Sequence, residues 1–152
     1  MKTIGDDEVR RALVRRLESV APSSVRRWGT LTPHEMFCHL GDAMDMVLLR
    51  RPRPNPARDR TRRLVKRVGL WSPLRWPRGW QTNPSQDPRR EGTRPSHFAN
   101  DRDRVIGLLQ ELGRIGEGGL EPLHGFFGRM STRDWHRWAY KHTDHHLRQF
   151  GA

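Results

Sequence analysis

Apolar residues recur every three or four positions in four stretches of this 152-residue chain, and no stretch alternates one by one for long. That periodicity commits most of the chain to amphipathic helices and leaves little sequence for a sheet. In the first stretch, from Asp6 to Val20, Val9, Leu13, Leu17 and Val20 form one stripe, Arg pairs take the wet side, and Asp6 or Asp7 caps the start. The second opens at Thr32-Pro33-His34-Glu35. Thr32 serves as N-cap, Pro33 suits the first helical position and Glu35 closes a capping box. This helix is predicted to run to about Leu49 or Arg50, with Met36, His39, Leu40, Ala43 and Val47 turned inward. The third stretch, Ser96 to Leu112, has Phe98, Val105, Ile106, Leu108, Leu109 and Leu112 on its apolar face and Asp101-Arg102-Asp103-Arg104 on its wet one. The fourth opens at Ser131, with Asp134 at the capping-box position, and gathers Trp135, Trp138, Ala139, His142, His146 and Gln149 on one broad face.

The segment between the second and third helices is built differently. Arg51-Pro52-Arg53-Pro54-Asn55-Pro56 predicts an extended connector, because each proline disfavours helix in the residue before it. Thr61 to Val68 predicts a short basic helix with Leu64, Val65 and Val68 inward. From Leu70 to Pro95, prolines at 73, 77, 84, 88 and 95 alternate with tryptophans at 71, 76 and 80. Indoles are costly to leave in water, so this segment is expected to be a long structured loop packed over the domain, or else the lid or wall of a pocket. Glycines at 113, 116, 118 and 119 end the third helix, and Leu120 to Met130 is expected as a compact loop. The expected fold is all-α: a single domain spanning 1–152, with four main helices, long crossovers and a basic Pro/Trp-rich insertion between helices 2 and 3.

Composition narrows the setting. The net charge is +12, from 29 Lys and Arg against 17 Asp and Glu, and most of the basic residues are Arg. Such a field attracts nucleic acid, acidic lipid or small anions; a compositional bias toward Arg is the plainer explanation. The lone cysteine, Cys38, excludes an intramolecular disulfide framework and fits a reducing cytoplasm. No apolar run resembles a signal peptide or a membrane span.

The residues that could carry chemistry are histidines. His142 and His146 stand four apart on one helical face and could close on one metal ion. A catalytic metal commonly takes three protein ligands and keeps a position open, and His39, inward on another helix, is a candidate third. Spacing leaves two alternatives open: His145 could replace His146 as the partner of His142, or all three could form a polar helix end near the last carbonyls. Asp42 and Asp144 are available as outer partners. Cys38, next to His39 but about 100° around the helix, reads as a buried, inert thiol.

The run Trp28-Gly29-Thr30-Leu31-Thr32-Pro33-His34-Glu35-Met36-Phe37-Cys38-His39-Leu40, followed at the far end by His142-Thr143-Asp144-His145-His146-Leu147-Arg148-Gln149-Phe150, resembles the DinB-like superfamily. It is most similar to a branch of unknown function, which also resembles this chain at Trp76-Pro77-Arg78-Gly79, Thr82-Asn83-Pro84, Gly92-Thr93-Arg94-Pro95 and His124-Gly125-Phe126-Phe127-Gly128. A departure is Gly125, where that branch would carry Pro. The resemblance implies an up-down-down-up four-helix bundle with a metal held by His39, His142 and His146, Gln149 following three residues after the last ligand. It also implies a divalent ion (Zn, Ni or Fe), a metal-dependent thiol transferase, isomerase or hydrolase-like activity that uses a low-molecular-weight thiol, and pairing of two copies. Arg residues of the insertion could hold an anionic substrate, and His124 could line the pocket. The alternatives are a basic nucleic-acid-binding module, resting on Arg50 to Arg67 and the Trp-rich loop, and a purely structural bundle.

Overall fold

A computed structural model describes residues 1–52 and 62–152. Most of the connector expected over 51–56, from 53 onward, lies outside the described residues, as does Thr61. Among the described residues the fold is mostly helical: α1 (Asp7–Glu18), α2 (Pro33–Val47), α3 (Arg62–Trp71), α4 (Phe98–Arg114) and α5 (Thr132–Leu147), with one 3-10 turn at Pro84–Gln86. The only sheet among them is a two-residue antiparallel hairpin, β1 (Leu123–His124) with β2 (Gly128–Arg129), inside the loop expected from 120 to 130. No described helix is long and apolar enough to cross a membrane.

The helix starts follow from local chemistry. The Asp6 carboxylate accepts from the amides of Glu8 and Val9. Thr32 with Glu35, and Ser131 with Asp134, each form a reciprocal capping box. Leu13 and Leu17 of α1, Met36 and Leu40 of α2, Leu109 and Leu112 of α4, and Trp135 and Leu147 of α5 are fully buried together. Both α1 and α2 pack against α4 and α5, while α3 packs on α5.

Three polar placements differ from expectation. In α3, Leu64, Val65 and Val68 face outward, at 72%, 39% and 49% exposure, and Leu70 is buried instead. The reason lies on α5: the Asp134 carboxylate accepts from Lys66 Nζ at 2.7 Å and Trp71 Nε1 at 2.8 Å, which turns the Lys66–Leu70 side of α3 inward. Asp101, expected on the wet face of α4, is buried because its carboxylate accepts from the Ser96 amide at 3.2 Å and meets His34 Nε2 at 2.7 Å. Arg10, expected on the wet face of α1, is buried because it donates to the Ile4 carbonyl at 2.6 Å and pairs with Asp7.

Asp42, one turn after His39 on α2, is wholly buried and is the main polar joint. It accepts from the Thr93 amide at 2.7 Å and the Thr93 hydroxyl at 2.6 Å, and it pairs with Arg51 at 3.1 Å and Arg104 at 3.4 Å. Gly41 makes room for this, since a Cβ there would run into the Arg104 guanidinium. Removing one partner from a buried ionic network leaves the others uncompensated. Asp42→Ala is therefore expected to lower unfolding free energy by about 3 kcal/mol, read from urea denaturation; a loss under about 1 kcal/mol would show that the joint is incidental.

Candidate metal centre

Two local causes, one on α2 and one on α5, bring in the three expected histidines. The capping box at Thr32 sets the phase of α2, and His39 then falls two turns in, facing α5. The capping box at Ser131 does the same for α5 and stacks His142 and His146 on its inner face. His142 Nε2 stands 3.0 Å from His39 Nε2 and 3.2 Å from His146 Nε2. All three side chains are buried.

The far side of two rings is tied down. His39 Nδ1 lies 2.9 Å from the Gln86 carbonyl, and His146 Nδ1 lies 2.8 Å from Gln149 Oε1. Oxygen accepts in both bonds, so both Nδ1 atoms carry the proton and both Nε2 atoms present lone pairs to the centre. A proton on His142 Nε2 can be given to one of these lone pairs, whereas a cation between the rings satisfies all three nitrogens. The ligand atoms lie within 4.8 Å of one another. Tetrahedral ligands at about 2.0–2.1 Å from zinc stand roughly 3.3–3.4 Å apart, so the observed spacing fits with small shifts. Burial, the largest cause, pushes the pKa of each imidazole below its ordinary range, so all three are neutral, as metal ligands must be.

The register left open by spacing is resolved by this geometry. His145 is turned away: its ring packs edge-on against Trp28 at 4.7 Å, and it borders the cavity instead of joining the three Nε2 atoms. The outer partners are not the carboxylates expected. Asp42 holds Thr93, Arg51 and Arg104, and Asp144 pairs with Arg16 at 2.8 Å and Arg148 at 3.2 Å. Gln149 does serve, and Gly29, at φ 85°, lets it seat: a Cβ there would stand 2.7 Å from Gln149 Nε2. Gln86 carries no sequence signal at all, because it acts through its backbone carbonyl.

The short segment that carries Gln86 is strapped across α2. Arg89 Nε and Nη2 each donate to the Glu35 carboxylate at 2.7 Å, and Nη2 also donates to the Thr30 carbonyl at 2.7 Å. Arg51 donates to the Ser85 carbonyl at 3.0 Å. A second group, half-buried His34 with buried Cys38 and Asp101, also has ligand atoms close together. There the carboxylate is already occupied, and burial followed by the Asp101 charge pushes the Cys38 thiol up to about 12, so this group is a strut between α2 and the start of α4.

The three histidines form the floor of a cavity of about 330 Å³. Trp76, Trp80, Phe126, Phe127 and Trp138 wall it, and His124 and His145 complete the imidazole lining. Trp76 is held in place from α5. Lys141 Nζ donates to the carbonyls of Gly69 at 2.7 Å and Leu74 at 2.8 Å, and Arg137 Nε donates to that of Leu70 at 2.7 Å. These cations cap the open C-terminal end of α3 and the turn that leads to Trp76. Comparison of the chain with known proteins finds no matching family model, no matching curated protein and no matching solved structure.

Two outcomes are expected. Gln149→Ala frees the His146 ring, and such outer-shell losses cost about 10–100-fold in metal affinity, measurable by competition with a chelator. Arg89→Ala releases the strap, with a sign set by Glu35, whose carboxyl the Arg89 hydrogen bond holds down at about 2 against an ordinary 4.5. A depressed carboxylate stabilises the fold above its unfolded pKa and loses that contribution as pH falls. The stability gap between wild type and Arg89→Ala is therefore constant above about pH 5 and narrows between pH 4.5 and about 2 to what the Thr30 carbonyl bond contributes. A gap independent of pH would remove the ion pair from the account.

Proposed function

We propose that this protein is a DinB-like four-helix bundle, with α1, α2, α4 and α5 as its main helices, that binds one divalent metal through His39, His142 and His146 and uses it on a small-molecule substrate. The observation that carries this reading is the convergence of three buried Nε2 atoms, two of them held as lone pairs by oxygens behind the rings. An all-imidazole set suits zinc, nickel or iron. A divalent ion held by these three residues would supply a Lewis acid able to lower the pKa of a water or thiol.

The chain's own residues supply the rest. Gln86 and Gln149 fix the ring orientations, Trp138 packs on His142 at 4.7 Å, and the Trp76 loop shields the floor from solvent. A metal-dependent transferase or isomerase acting on a low-molecular-weight thiol is the activity we infer, in the cytoplasm, where a chain with one buried free thiol is at home. The nucleic-acid alternative draws less support. Trp71 and Trp76 use their indole N–H groups internally, on Asp134 and the Gly69 carbonyl.

Purified protein titrated with Zn(II) or Co(II) is expected to take up about one equivalent. His39→Ala, His142→Ala and His146→Ala should each weaken binding by at least about 100-fold, while His145→Ala leaves it within about twofold. Absence of any saturable metal binding by the wild type would sink the proposal.

A further inference from the structure

In a chain of net charge +12, no arginine, lysine, aspartate or glutamate among the described residues lines the cavity above the histidines. Its titratable groups are all imidazoles. His124 is held neutral by geometry: the amides of Phe126 and Phe127 donate to its Nδ1 at 2.9 and 3.2 Å, so that nitrogen keeps its lone pair and the proton sits on Nε2. The remaining polar lining is carboxamide and hydroxyl, from Gln81, Thr82, Asn83 and Gln86.

Three of the nearby described cations are engaged elsewhere. Lys141 is spent on the Gly69 and Leu74 carbonyls, Arg148 on Asp144, and Arg78 lies over the Trp28 ring at 5.3 Å. Arg62, whose Nη1 is buried with no hydrogen-bond partner among the described residues, is close enough to His124 to help depress its pKa, but it does not line the cavity. The walls are aromatic instead. Trp76 stands 6.2 Å from Phe127 within, and Trp80 meets Phe126 edge-on at 4.7 Å, these last two being 54% and 42% exposed.

An ionised group on the body of a ligand would lose its water here and meet no counter-charge from the described lining. A flat apolar body would cover two exposed rings. We propose that the substrate is an uncharged, ring-bearing molecule whose body lies between the Trp76–Phe127 and Trp80–Phe126 pairs and whose single donor atom points at the three Nε2 atoms. The donor end of this proposal rests on the metal reading; the apolar, uncharged body does not.

The test uses three thiols on the Co(II)-loaded protein, read by the change in its visible absorption. Benzyl mercaptan carries the ring, 4-(mercaptomethyl)benzoate adds a carboxylate at the ring's far end, and 2-mercaptoethanol lacks the ring. Benzyl mercaptan is expected to half-saturate at a concentration about tenfold or more below either of the others. Trp80→Ala, at an exposed position, should raise that concentration several-fold, with Co(II) affinity within about twofold of wild type. Equal or tighter binding of the benzoate would overturn the proposal and implicate a cation such as Arg62. If Co(II) fails to bind, the metal reading falls by itself, and quenching of tryptophan fluorescence by toluene against 4-methylbenzoate decides the cavity: toluene preferred upholds the uncharged body, and no preference or the reverse refutes it.

Discussion

Three imidazole nitrogens cannot share a buried space on lone pairs alone. His39, His142 and His146 meet at 3.0 and 3.2 Å, and two of the three are oriented by oxygens behind them, so that only the one proton of His142 remains to mediate among three nitrogens. Much of the architecture serves to hold that arrangement against its own repulsion. The phase of α2 and α5 is set by paired capping boxes, the Gln86 carbonyl is carried in by a strap, and Gln149 is admitted by the absence of a side chain at Gly29. An arrangement with this internal cost, and with orienting bonds on the far side of the rings, is what a metal ligand set requires. A polar helix end would leave the rings free to turn into water.

The strap and the Trp76 loop are positioned by ionic groups that do no chemistry. Asp42 joins α2 to Thr93, Arg51 and Arg104 at a point one turn beyond His39, so the histidine and the segment bearing Gln86 are referenced to the same helix. On the other side, Arg137 and Lys141 lie on the helix that carries His142 and reach the carbonyls at the end of α3. Burial, with Arg137 close by, pushes Lys141 down to about 8. Its place among carbonyls and not beside a carboxylate explains how a desolvated ammonium is tolerated there. The floor and both walls of the cavity are thus tied to α2 and α5.

The helices and the inward faces of His39, His142 and His146 were legible because they rest on local rules: period, cap and i,i+4 stacking. What was not legible depends on partners distant in the chain. The apolar run Leu64, Val65 and Val68 reads as an inward face, yet the Asp134 carboxylate captures Lys66 and Trp71 and turns that face outward. Asp101 and Arg10 look like surface charges until His34, for the first, and the Gly113 carbonyl, for the second, are in place. His145 and His146 are equivalent in spacing terms; the ring of Trp28, more than 100 positions earlier, separates them. Gln86 works through its carbonyl, which every residue has, so side-chain identity could not have revealed it.

The arginine content follows the same division between surface and joint. Arg10, Arg16, Arg51, Arg89, Arg104 and Arg137 each bridge to a carbonyl or carboxylate of another segment, while no Lys or Arg among the described residues lines the cavity. The planar fork of Arg can serve a carboxylate and a carbonyl at once, as Arg89 does for Glu35 and Thr30. Lysine has the charge but not that geometry. A positive chain can therefore place six guanidinium groups at joints between its segments and leave imidazoles, carboxamides and aromatic rings to line its described cavity.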